Sequence, residues 1–111
     1  MPTEATAPVR RGGEVWLATL HIVRPVVVLT RDPLGRYLHS VLVGPVTSTV
    51  RGLSTEVVVD SHDGLRGESV VNLDNAQLVP RTALRRGVGA VRSDTMAAIC
   101  NALAIATGCE R

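Results

Sequence analysis

The chain has 111 residues, 45% hydrophobic and 20% charged, with a formal net charge of +2. That is one domain with a single modest core. No apolar run approaches the roughly 20 residues that span a bilayer, and +2 is too small to indicate a nucleic-acid partner by itself.

All twelve basic residues are arginine, so every cation is a planar fork suited to phosphate or carboxylate. Trp16 and Tyr37 are the only aromatics, which leaves the core to Val, Leu, Ile and Ala. Cys100 and Cys109 show no CxxC or disulfide-rich spacing, the pattern of reduced thiols in a cytosolic protein.

Residues 1–12, with two prolines and no periodicity, are expected to be a flexible tail with no leader peptide; residues 13–111 form the domain. Alternation of Val15, Leu17 and Thr19 against Glu14, Trp16 and Ala18 predicts a first strand over 13–19. "LHIV" is a short link to Arg24-Pro25. "VVVLT", 26–30, is a β-branched run typical of a buried strand. "RDPLGR", 31–36, is a turn by its Asp-Pro and Gly. A third strand is expected over 38–47, bent at Gly44-Pro45. A fourth covers 55–60 and a fifth 69–74, with "QLV" continuing the fifth after a kink. Pro80 opens one helical turn over 80–86, and 87–91 is a short last strand.

From Ser93 onward Met96, Ile99, Cys100, Leu103 and Ala106 recur at helical spacing. Ser93 is the expected N-cap and Gly108 the C-cap. Five or six short strands and a terminal helix predict a mainly β domain: a small barrel or bent sheet closed by the helix.

Catalytic signatures are sparse. His21, His39 and His62 lack ligand-pair spacing, which argues against a metal site. There is no phosphate-binding glycine loop, no G-x-S-x-G and no nucleophilic cysteine context. What remains is arginine beside hydroxyls. Arg24 opens the most apolar strand, where a solvated strand-end charge is the plainer reading. Thr47, Ser48 and Thr49 can equally be turn hydroxyls bonding their own backbone, and Asp74-Asn75 an ordinary strand-end turn. If these strand ends share one rim, Arg24, Thr47, Ser48 and Asp74 form a phosphate clamp with a carboxylate.

Taken in order, "GEVWLATL", "RPVVVLTRD", "VLVGPVTSTVRGLSTEVVVD", "SVVNLDNAQLVPRTAL" and "SDTMAAICNALAIATG" resemble the MazF/PemK/Kid toxins over residues 12–109. The resemblance implies an SH3-like barrel with a C-terminal helix, working as a homodimer. It implies the toxin half of a type II toxin–antitoxin pair: a cofactor-free, metal-independent endoribonuclease. Single-stranded RNA would lie in a groove across the dimer, and an acidic MazE-like antitoxin tail would occupy part of it.

Residue by residue, the resemblance puts the catalytic arginine on Arg24, the catalytic threonine on Thr47 with Ser48 adjoining, and the acidic-then-amide pair on Asp74 and Asn75. The link before Arg-Pro is shorter than in many members and carries His21, and Asn72 stands where some members have an arginine acting as general acid. The implied reaction is attack of a ribose 2′-OH on its neighbouring phosphate, giving a 2′,3′-cyclic phosphate and a 5′-OH.

Arg24 and Thr47 then stabilise the phosphate. Asp74 ranks ahead of His21 as proton shuttle, although histidine titrates nearer neutrality. Arg31, Arg36, Arg51, Asn75 and Gln77 are the expected RNA contacts. Trp16 is expected in the core, and Tyr37 is a stacking candidate. Two alternatives remain: a gyrase-binding toxin resembling CcdB, although the chain lacks that family's terminal "WGI"-like segment, and a non-enzymatic SH3-like module.

Overall fold

The structure, a computed structural model, describes residues 12–30 and 39–109. Within them lie β1 (Glu14–Thr19), β2 (Val23–Val28), β3 (Ser40–Thr47), β4 (Glu56–Val59), β5 (Ser69–Asn72), β6 (Gln77–Pro80), β7 (Leu84–Ala90) and α1 (Ser93–Thr107). Short 3-10 turns occupy Ser61–Asp63, Leu73–Asn75 and Arg81–Ala83. The strands form one antiparallel sheet in the order β4-β5-β3-β2-β1-β7, with β6 also paired to β3.

Period-two alternation divides the buried side chains between two clusters. Trp16, Ala18, Val26 and Val28 pack with Val41, Val43, Val79 and Leu84. Their strand neighbours Val15 and Val27 point the other way, to a second cluster that holds Val71, Leu73, and Ile99 and Ala102 of α1. The helix therefore covers one face of the bent sheet, and the curl of the sheet encloses the other cluster. Trp16 is buried as expected, its indole N–H donating to Glu14 Oε1 at 3.2 Å.

Gly44-Pro45 is where β3 changes partners. Ser40 to Val43 pair with β6, whereas Val46 and Thr47 pair with β5. The crowding there excludes a side chain: a Cβ on Gly44 would stand 2.9 Å from Val71 Cγ1. The bend carries Thr47 away from the β6 ladder and toward β2 and β5.

Several boundaries differ from the predicted ones. β2 begins at Val23 and so takes in Arg24-Pro25. β5 stops at Asn72, whose side chain accepts from the Asp74 N–H and starts a 3-10 turn. "QLV" is a separate strand on β3 and not an extension of β5. The helical turn expected over 80–86 is only three residues long, because Leu84 to Ala90 find β1 as a partner.

Arg92, not Ser93, is the N-cap residue of α1, and it makes no side-chain cap bond. Asp63 serves that helix end from outside. Fully buried, it accepts the Arg92 N–H at 3.0 Å and the Asp60 N–H at 3.2 Å, and it also bonds the Thr95 side chain. Burial alone would raise its pKa; these hydrogen bonds and the Arg92 charge outweigh burial and hold it below the ordinary carboxylate value. Gly108 closes the helix in the left-handed region, φ 74°, as expected.

Candidate active site

The β2–β3 register pairs Val26 with Pro45. Two residues further along each strand stand Arg24 and Thr47, and both line one small cleft of about 180 Å³. Arg51 and Asn75 line the same cleft, together with Asn72 and Thr49. Among the described residues no carboxylate lines it, and two guanidiniums do, so its field favours an anion.

Local bonding sets the orientation of these groups. Thr47 Oγ1 accepts the Thr49 N–H at 3.1 Å, the turn bond expected of such hydroxyls, and its own hydrogen is left to donate. Asn72 Oδ1 accepts the Asp74 N–H at 3.0 Å, so its NH₂ is the amide group available to the cleft. Arg51 is fixed through its backbone: the Glu56 carboxylate accepts the N–H groups of Arg51, Gly52 and Leu53. Arg24 is half-buried, and its Nε is a buried donor with no acceptor among the described residues. Leaving such a donor unsatisfied costs about 1–3 kcal/mol, a cost that a bound anion removes.

Of the expected site residues, Arg24, Thr47, Arg51 and Asn75 share this cleft. Ser48 lines a wider adjoining cavity of about 620 Å³, with Thr47 on the wall between the two. Asp74 is exposed beside the cleft, and its Oδ2 accepts the buried Thr55 hydroxyl at 2.6 Å. Gln77 lies exposed on β6, paired with Val43, and His21 is exposed in the β1–β2 turn; neither lines the cleft. Arg31, Arg36 and Tyr37 lie outside the described residues.

Two polar members of the cleft were not expected from the sequence. Thr49 reads there only as a turn residue, and Asn72 only as a departure from the resemblance. The available signal for Asn72 is an amide within the apolar run "VVNL", since a buried polar side chain in a strand needs a reason. Among the described residues no group of three or more His, Cys, Asp or Glu side chains gathers as a metal site, and no helix is long and apolar enough to cross a membrane.

The sequence model of a family described as "PemK-like, MazF-like toxin of type II toxin-antitoxin system" matches residues 11–107. The endoribonuclease MazF3 of Mycobacterium tuberculosis is 42% identical over 89 residues, covering 80% of this chain and 86% of that protein. The M. tuberculosis toxin MazF-mt6 superposes with a TM-score of 0.84 at 39% identity, over 88% of this chain and 99% of that one. A mycobacterial endoribonuclease solved in complex with its cognate antitoxin gives a TM-score of 0.83 at 30% identity, over 95% and 99% of the two chains.

Proposed function

Because the chain belongs to the PemK-like, MazF-like toxin family of type II toxin–antitoxin systems, we propose that the cleft between Arg24 and Thr47 is where it cuts RNA. It is an endoribonuclease of that family and forms a complex with a cognate antitoxin, as its relatives' names describe for them. The observation that carries the assignment of the site is the buried, unsatisfied Arg24 Nε at a cleft lined by a second guanidinium, hydroxyls and two amides.

These groups suit a phosphodiester transition state. Arg24 and Arg51 meet the charge that builds on the non-bridging oxygens, and Thr47, with its acceptor side already occupied, donates to the same oxygens. The ribose 2′-oxygen bonds to phosphorus, the bond to O5′ breaks, and O5′ takes a proton from solvent. Donors aimed at developing charge are the strongest single contribution to such reactions, and the reacting hydroxyl belongs to the substrate, so no enzyme nucleophile is required.

Asp74 takes the 2′-OH proton from the rim, held there by Thr55. Ser48 supports the next part of the strand, and Gln77 and Asn75 contact RNA on either side of Ala76. A second copy of the chain completes the groove.

The test is incubation of the protein with total RNA, followed by mapping of the new ends. Discrete cuts leaving 5′-hydroxyls and cyclic phosphates, undiminished by EDTA, are expected. Cuts leaving 5′-phosphates, or loss of activity under chelation, would overturn the mechanism. Intact RNA with arrest of gyrase would favour the CcdB-like alternative.

A further inference from the structure

The cavity on the other side of Thr47 is larger than the catalytic cleft, about 620 Å³, and it carries its own positive charge. Arg66, from the loop after β4, and Arg86, from β7, both line it, and no acidic side chain among the described residues does. Both arginines are exposed, and neither makes an ion pair or side-chain hydrogen bond among the described residues. Ser48 and Ser69 add hydroxyls, while Leu65 and Val88 give it apolar lining.

The loop bearing Arg66 is held in place before any ligand arrives. Asp60 and Asp63 cap its 3-10 turn reciprocally, and the Leu65 N–H donates to Asp60 O at 3.2 Å. Gly64 has φ 86°, and a Cβ there would stand 3.1 Å from Gly89 Cα, so the turn sits directly on β7. Only glycine satisfies both conditions. Asp63 in turn binds the start of α1. Arg66 and Arg86 therefore project from two elements that are locked together.

We propose that this cavity is a second nucleotide subsite, receiving a nucleotide of the same RNA strand next to the one whose phosphate is cut. The inference rests on the Arg24–Thr47 cleft being the cutting site. Three features assign the ligand. Thr47 lines both cavities, so a strand leaving one enters the other. Paired guanidiniums suit a phosphate, and an apolar lining with hydroxyls suits a base face and a ribose. Bound here, the flanking nucleotide fixes the strand on the side of Thr47 away from Arg24, and it adds affinity without touching the reacting atoms.

The experiment compares the full-length wild type with Arg66→Gln and Arg86→Gln. The probes are an RNA oligonucleotide cut by the wild type, the same oligonucleotide with a 2′-deoxy scissile residue, and a version trimmed to the scissile dinucleotide. On the uncleavable long RNA each variant is expected to bind several-fold more weakly, with the slope of log Kd against log salt reduced by about 0.7 for each phosphate no longer neutralised. With cleavable RNA the loss falls on KM and not on kcat, and the gap to the wild type closes on the dinucleotide.

Unchanged Kd and salt slope in both variants, or an equal loss on the dinucleotide, would overturn the subsite. Weakened binding of a synthetic acidic peptide with RNA affinity intact would also overturn it, and would reassign the cavity to a protein ligand. The two claims fail separately: a wild type that cuts no RNA refutes the proposed function, whereas a cutting wild type with indifferent variants refutes only the subsite. Matching circular dichroism spectra keep a folding defect out of the comparison.

Discussion

Replacing Asp63 by asparagine tests the physical account of the fold at one buried atom group. The carboxylate is fully buried, accepts two backbone N–H groups at 3.0 and 3.2 Å, and stands 3.6 Å from Arg92 Nε. Asparagine keeps one acceptor but turns an NH₂ toward an N–H donor and removes the charge. Hydrogen bonds to a charged group contribute about 1.5–3 kcal/mol each, and breaking one partner of a buried pair costs about 3–5 kcal/mol. Since Arg92 is half exposed, its ionic share is small. We expect a loss of about 2–4 kcal/mol at pH 7, a fall in Tm of roughly 10–20 °C for a chain of this size.

The same variant has a signature in pH. Asp63 is held below its ordinary pKa, so its contribution is fully present above the unfolded-state value near pH 4 and is lost as pH falls through the lower folded-state value. Asp63→Asn should therefore flatten the acid limb of the stability curve below about pH 4 and leave the neutral region parallel to wild type. Urea unfolding followed by Trp16 fluorescence, at one fixed protein concentration, measures both. A variant within about 0.5 kcal/mol of wild type at pH 7, with an unchanged acid limb, would refute the capping role.

Other residues give further predictions. Glu56→Gln weakens the bonds that fix the 51–53 backbone, so RNA cleavage should fall by about tenfold, in line with roughly 1.5 kcal/mol for a charge-assisted bond; undiminished turnover would show that Arg51 needs no such support. Gly44→Ala places a Cβ against Val71 and should cost about 1–3 kcal/mol of stability by overpacking, measured by denaturant unfolding; a neutral outcome would mean that the β3 bend yields easily. Thr55→Val removes the hydroxyl that holds Asp74; it should lower the single-turnover cleavage rate several-fold with RNA binding little changed, and an unchanged rate would release Asp74 from its role.

Much of this architecture was legible in the sequence because the strands are runs of β-branched residues and the helix is the one segment with a 3.6-residue period. Boundaries were less legible where long-range pairing overrides local preference. Leu84 to Ala90 become a full strand because β1 lies alongside, and "QLV" leaves β5 because β3 offers it a ladder. The N-cap of α1 could not be read locally, since its cap comes from Asp63, far away in the chain. Arg24 and Thr47 stood out through their motifs and strand-end positions. Asn72 did not, because its place in the cleft follows from pairing opposite Glu56 and from the 3-10 turn that it caps. Arg66 and Arg86 carry no local motif at all; only folding brings the loop after β4 against β7.

The most direct test of the central claim is the single-turnover cleavage rate of a defined RNA by Arg24→Ala and Thr47→Ala proteins that retain the wild-type unfolding midpoint. Loss of one donor to developing phosphate charge costs about 2.7–4 kcal/mol. A fall of about 10²–10³-fold is therefore expected in each variant, with binding of the 2′-deoxy RNA affected far less by Thr47→Ala. Wild-type rates in either folded variant would contradict it and move the chemistry out of this cleft.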